Sequence, residues 1–242
     1  GLGGASISAT SDLSGFPGAP EGTVDMSVLS QDAAELFGLL GEKFPGMPLF
    51  AALSDRAALY PQLLADAKID LVTSFAQGGG LRRQTLSLSA SAGGGIYSGS
   101  ATVSGDLTDL KSLSGKGALQ GHHEDPLAVM ALIGAPVLPI GAPGPLTFDV
   151  SAEGGGSEGF SLSAAAKSDN LNAAVSGRFT PGADGLEGTG EVSLKSADIE
   201  PYMMAAGVTF PDMGQGLSAD LKSGFVKSAS AVRFGNLQGT VS

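Results

Sequence analysis

The chain has 242 residues, of which 38 are Gly and 13 Pro, with no Cys and no Trp. A hydrophobic content of 42% excludes a disordered polymer, because enough apolar surface exists to offset the entropy of ordering; the glycines also lack the three-residue period of collagen. The formal net charge is −11 and no Lys/Arg cluster interrupts it, which argues against nucleic acid and, more weakly, against docking on anionic headgroups. Without cysteine there is neither a disulfide framework nor a thiolate metal site. No apolar run reaches the roughly 18 residues of a membrane span. The sequence opens and closes inside strand patterns, so a fragment of a longer polypeptide is expected, its targeting segments elsewhere.

In chain order, Ala5–Thr10 and Thr23–Val28 alternate apolar with small polar residues, the period of a strand with two different faces. Asp32 then opens an apolar stretch that closes nine residues later on Gly41, with Pro45 beyond. Asp is a good N-cap, Gly a good residue just past a helix end, and Pro bars continuation, so the spacing predicts a short helix. The same nine-residue spacing returns at Asp125–Gly134, followed by Pro139, and at Asp198–Gly207, followed by Pro211. Each copy leads to a strand-like run: Ile69–Phe75, Leu146–Val150 and Leu217–Leu221. A helix-then-strands module repeated along a chain signals an array rather than a single-pocket globule.

The first copy carries an extra segment, residues 49–68, that reads as helical, with Pro61 in a first turn or as a break. Leu59, Tyr60, Leu63 and Leu64 give it one sticky face, which reads either as a helix packed on the sheet or as a lid or partner contact. Further strands are expected at Thr85–Ser89, Ser100–Val103, Gly159–Ser163, Glu191–Lys195 and Ala231–Phe234, punctuated by Gly78–Gly80, Gly93–Gly95 and Gly154–Gly156. Short turns between successive strands favour antiparallel meanders. The predicted fold is therefore mainly β with short α-helices: elongated antiparallel sheet repeats, as a U-shaped trough or an open sandwich. It forms one domain fragment over residues 1–242 with approximate units 1–75, 76–150 and 151–242.

Chemistry-bearing residues are sparse. His122 and His123 are adjacent, so on a strand they point to opposite faces and do not share one metal; Asp125 is expected to cap the helix that begins at Pro126. The Gly-Gly-Gly segments lack the Lys-Ser/Thr of a phosphate loop and the aspartate of a calcium repeat. No carboxylate pair stands out, and neither catalytic residues nor metal ligands nor a cofactor are expected; a glycan-active enzyme is the least favoured reading. What remains is a surface. Leu86, Leu88, Val103, Leu107, Phe148, Val150, Phe160, Leu162, Val192 and Leu194 are expected to line one sheet face. That face is either a core closed by a second sheet or by the helices, or an open apolar trough for acyl chains.

The three capped helices, the segment GAPGPLTFDVSAEGG, the strand Leu171–Gly177 and the phrase Leu194–Ile199 resemble the AsmA family of Gram-negative envelope proteins, as do Gly105–Leu110 and Leu113–Leu119. The resemblance covers most of residues 80–242; the first 75 match only through the capped-helix pattern, and the 49–68 insertion departs from the repeat. It implies a periplasmic body, an inner-membrane anchor outside this chain, and a role in outer-membrane homeostasis. Relatives such as TamB are viewed as bridges carrying phospholipid along a β-trough. Phospholipid and other envelope proteins are the implied partners, and no catalytic residue carries over. The rival expectation is a structural or interaction β-repeat with a closed core, binding partners at its sheet edges and carrying no lipid.

Overall fold

The structure, a computed structural model, describes residues 4–15, 20–44, 48–60, 62–78, 81–105, 112–135, 137–138, 140, 144–156, 158–182, 185–208, 214–228 and 231–242. Strands dominate. They are β1 (Ser6–Ser14), β2 (Glu21–Asp32), β3 (Ala65–Gly78), β4 (Leu81–Ala92), β5 (Gly95–Ser104) and β6 (Ser114–His123), then β7 (Leu146–Gly155), β8 (Gly159–Lys167), β9 (Leu171–Gly182), β10 (Gly185–Ser196), β11 (Ala219–Lys227) and β12 (Val232–Val241). They form one antiparallel sheet in which every strand pairs with its neighbours in sequence, and β1 and β12 do not meet to close it. Short connections explain the meander: β4 turns into β5 through Gly93 and Gly94, both at positive φ (58° and 86°), as a two-residue hairpin turn requires. A Cβ at Gly93 would also lie 2.5 Å from the Leu63 carbonyl oxygen, so no other residue fits there.

Four short helices interrupt the meander. Between β2 and β3 lie α1 (Ala34–Lys43) and α2 (Pro48–Leu59); α3 (Pro126–Leu132) follows β6 and α4 (Glu200–Ala205) follows β10. Even-numbered strands all run the same way, so all three excursions leave the sheet at the same end. The module is therefore two strands, a helical excursion and two more strands, three times over. The expected unit boundaries at 75/76 and 150/151 fall inside β3 and β7 instead, because a unit ends where a hairpin closes, two strands after its helix.

Aspartate stands at each corner, but only Asp125 is the N-cap the spacing predicts; Asp32 and Asp198 lie one residue before the N-caps, Ala33 and Ile199. The Asp32, Asp125 and Asp198 carboxylates accept hydrogen bonds from the N–H groups of Ala34 (2.9 Å), Leu127 (2.9 Å) and Glu200 (3.0 Å). Two of the three stops also match. Gly134 (φ 89°) and Gly207 (φ 75°) sit in the left-handed region just past α3 and α4. The Ala135→Met130 and Val208→Met203 backbone bonds close Schellman-type ends. Gly41 is a correction: α1 runs through it to Lys43. Its missing side chain serves packing, since a Cβ there would lie 3.0 Å from the Ala51 amide nitrogen of α2. Pro45, Pro61, Pro139 and Pro211 lie outside the described residues.

The 49–68 segment is also shorter as a helix than expected. It ends at Leu59, residues 62–64 form a turn, and the chain is strand from Ala65. Tyr60, Leu63 and Leu64 are buried but Leu59 is 77% exposed, so the sticky face is one residue narrower than the sequence suggests. The main core forms where the helices lie on the strand ends. It joins Tyr60, Leu63, Leu64, Leu127, Val129, Tyr202 and Ala205 to Ala67, Ala92, Leu146 and Leu171. A smaller cluster joins Ala5, Val28 and Leu36. Among the described residues no helix is long and apolar enough to cross a membrane.

Candidate functional site

Register decides which side chains share a face. One cross-strand row runs Ala9, Met26, Leu71, Leu88, Gly99, Leu119, Val150, Ala164, Val175, Val192 and Ser223. The next row on that face runs Val24, Thr73, Leu86, Ala101, Gly117, Ala152, Leu162, Gly177, Gly190, Phe225 and Phe234. A third holds Phe75, Val103, Phe160 and Phe179. On the helix side, a fourth holds Ile69, Tyr97, Phe148, Leu194 and Leu221. The intervening rows, on the other face, are mostly Ser, Thr and charged residues, with a few alanines and glycines and four large apolar exceptions, Leu29, Val72, Ile96 and Val226. Alternation along each strand thus becomes a one-sided sheet.

All nine described residues of the expected lining, Leu86, Leu88, Val103, Phe148, Val150, Phe160, Leu162, Val192 and Leu194, fall on this one face; Leu107 lies outside the described residues. The structure divides the nine. Phe148 and Leu194 pack against the helix-covered core. The other seven lie further along the strands, half-buried among sheet neighbours, and no second sheet lies over them among the described residues. Near the centre Leu71, Leu86, Leu88, Leu119, Val150 and Ala152 surround an apolar hollow of about 350 Å³. A larger hollow of about 1030 Å³ opens on the polar face, beside His122, Asp149, Lys167, Asn172 and Lys195.

Glycine completes the apolar face. The Phe148 ring lies where a Cβ of Gly121 would be, 2.6 Å away, with Tyr97 at 2.9 Å. Phe225 covers Gly190 in the same way (2.6 Å), and Phe179 covers Gly188 (2.7 Å). Rings laid over neighbouring glycines fill the surface without a bump, which is why a chain so rich in glycine still forms long strands. Residues of this face missing from the expected lining, Leu71, Leu119, Val175, Phe179, Phe225 and Phe234, have the same period-two placement in their own strands. For β6 it was masked because Gly115, Gly117 and Gly121 occupy the apolar positions around Leu119.

The two histidines part as expected. His122 is on the polar face with Glu124 at 3.1 Å, whereas His123 is only 2% exposed. His123 Nδ1 accepts the Asp125 N–H at 2.9 Å, so its proton belongs on Nε2, a buried atom with no hydrogen-bond partner. Burial pushes its pKa down, against the opposing pull of the Asp125 charge. The Tyr60 hydroxyl donates to the Asp125 carboxylate, and burial first, then that bond, raises the tyrosine pKa. The neighbouring repeats use the same position differently: Ser196 Oγ accepts the Asp198 N–H at 3.2 Å, and Ser30 Oγ donates to the Asp32 carbonyl at 2.8 Å. A buried polar residue two before the capping Asp is thus a shared feature of all three strand-to-helix corners. No group of three or more His, Asp or Glu side chains able to hold a metal ion gathers among the described residues. Comparison of the chain with family models, with curated proteins and with solved structures finds no match.

Proposed function

We propose that the chain is part of an AsmA-like periplasmic protein of a Gram-negative envelope, shielding or passing phospholipid along the apolar face of its sheet. The observation that carries this reading is the predominantly apolar strip across the strands, with helices over one end of it and nothing described over the rest. Acyl chains laid on such a strip leave water at about 0.8 kcal/mol per CH₂ buried, while the Ser/Thr face stays wet. The direction of travel is along the rows, across the strands, because that is the direction in which the strip is continuous. Contact with the inner membrane is assigned to an anchor outside this chain, and the chemistry is non-enzymatic, without a cofactor.

Native mass spectrometry of the purified chain tests the reading, with phospholipid expected to co-purify. A fluorescent phospholipid should bind, detergent should displace it, and Leu88→Glu should weaken binding while leaving the circular dichroism spectrum native. Absence of lipid together with unfolding of Leu88→Glu would instead favour a closed structural array, because a charge buried without a partner is what unfolds a core.

A further inference from the structure

Charge is divided unevenly between the two faces of the sheet. Followed to the strand ends, the register puts nearly all charged residues of the described strands on the polar face. Apart from His123, the described strand residues of the apolar face that can carry charge are Asp32, Arg82 and Lys227. Asp32 lies at the helical end, its carboxylate on the Ala34 N–H. Arg82 of β4 and Lys227 of β11 both lie at the opposite, uncovered end.

Arg82 has company. Gln77 is its direct partner across β3 and β4, and Gln84 is the next residue of β4 on this face. Arg82 and Gln77 are exposed and Gln84 is half-buried. Guanidinium and carboxamide N–H groups are donors suited to phosphate oxygens. Further along the same two strands the apolar hollow begins, with Leu71 of β3 and Leu86 and Leu88 of β4 in its wall. From Gln84 to Leu88 the strand rises about 14 Å, close to the roughly 15 Å of hydrocarbon in one leaflet of a bilayer. In the next row Ala90 faces Ile69 and Tyr97, and beyond it Ala67 and Ala92 belong to the buried core. Donors at one end, an apolar bed of leaflet depth and a sealed far end match the anatomy of an amphiphile lying parallel to the strands.

We propose that this part of the face binds a phospholipid of net negative charge. Its phosphate sits at Arg82, Gln77 and Gln84, and its acyl chains run along β4 into the Leu71, Leu86 and Leu88 hollow. This rests on the lipid-carrying reading above and gives that lipid an orientation, head at the uncovered rim and chain ends against the helix-covered core. A zwitterionic head would leave its ammonium group unmatched, because the one acid among the described strand residues of this face, Asp32, is at the other end. The negative charge of the whole chain weighs little here, since exposed charges more than about 10 Å away are largely screened at ordinary salt.

Titration of the intact chain with phosphatidylglycerol and phosphatidylcholine tests this, both of one chain length, tail-labelled with a fluorophore and kept below aggregation. Phosphatidylglycerol should bind about tenfold more tightly, within the worth of hydrogen bonds to a charged group. Arg82→Glu should abolish that preference, and Arg82→Gln, which keeps amide donors but not the charge, should reduce it. Arg83→Glu makes the same change in net charge one residue away on the polar face, and should leave both affinities at the parent values. All three variants are compared only with native circular dichroism spectra, and Arg82→Gln alone suffices if Arg82→Glu fails to fold. Equal binding of the two lipids by the parent, or equal effects of Arg82→Glu and Arg83→Glu, overturns the headgroup assignment while leaving the lipid-carrying face standing. Failure of both lipids to bind overturns the two together.

Discussion

The two halves of the apolar face are made of the same residue types on the same strands, yet they are physically different objects. At the helical end, Leu127 (0% exposed), Leu63 (2%) and Leu146 (2%) are sealed between sheet and helices. Further along the strands Leu86, Leu88, Val150 and Val192 are only half-buried, and what cover they have comes from sheet neighbours. Hydrophobicity alone therefore does not say which part of a strand is core. Cover does, and here cover is set by topology: three excursions after even-numbered strands all arrive at one end. Stability should be concentrated there, leaving the other half free to vary or to bind.

Truncation on the two sides measures that contrast. Leu127→Ala removes a fully buried side chain and should cost about 2–5 kcal/mol, read as a lower urea midpoint. Leu88→Ala, at a half-buried position, should cost under about 1.5 kcal/mol, since less area is lost and no sealed cavity forms. Equal losses would mean that both regions are core, and would remove the distinction along with the support it lends to an open lipid-carrying face.

The helix stops come next in size. Gly207→Val has open space around its new side chain but must hold a β-branched residue at φ 75°, so its cost is almost wholly backbone strain, about 1–3 kcal/mol. Gly134→Val carries similar strain and also meets the Arg56 guanidinium, 3.0 Å from the added Cβ, and so should lose somewhat more. An unchanged urea midpoint in both variants would show that these ends contribute nothing to the covered region.

Much of this architecture could be read from particular residues. Asp32, Asp125 and Asp198 announced the three corners, and alternation announced nearly every strand. Gly41 misled because a glycine in a helix is also tolerated for close packing, and the Ala51 backbone that explains it comes from a helix the spacing does not encode. The division of the lining set was equally hidden. Phe148 and Val150 are two residues apart with the same periodicity, but only Phe148 reaches the helix-covered cluster, and which strand end receives helices depends on the order of all twelve strands. Adjacency put His122 and His123 on opposite faces without saying which one is buried; the structure buries His123, with its ring against Gly95 and its Nδ1 on the Asp125 N–H. The recurrence of Ser30, His123 and Ser196, each two residues before a capping Asp, was present in the sequence and is the one clue to that burial.

The smallest expected effect sharpens the comparison through pH, because His123 belongs to the covered half and His122 to the wet face. In the unfolded chain a histidine titrates near 6.5, whereas burial holds His123 below that value when folded. Above pH 6.5 both states are neutral and its contribution to stability is fully present. As pH falls below 6.5 the unfolded state takes up a proton that the folded state refuses, so stability declines until the folded pKa is reached and then levels. The slope from one such group cannot exceed about 1.4 kcal/mol per pH unit. His123→Ser retains a side-chain acceptor for the Asp125 N–H, as Ser196 provides for Asp198, and removes the titration. Its urea midpoint should therefore be flatter with pH across this window, whatever its absolute stability. A parent chain whose stability does not change below pH 6.5 would mean that water or an acceptor reaches His123 Nε2, and that the helical end is less sealed than its packing indicates.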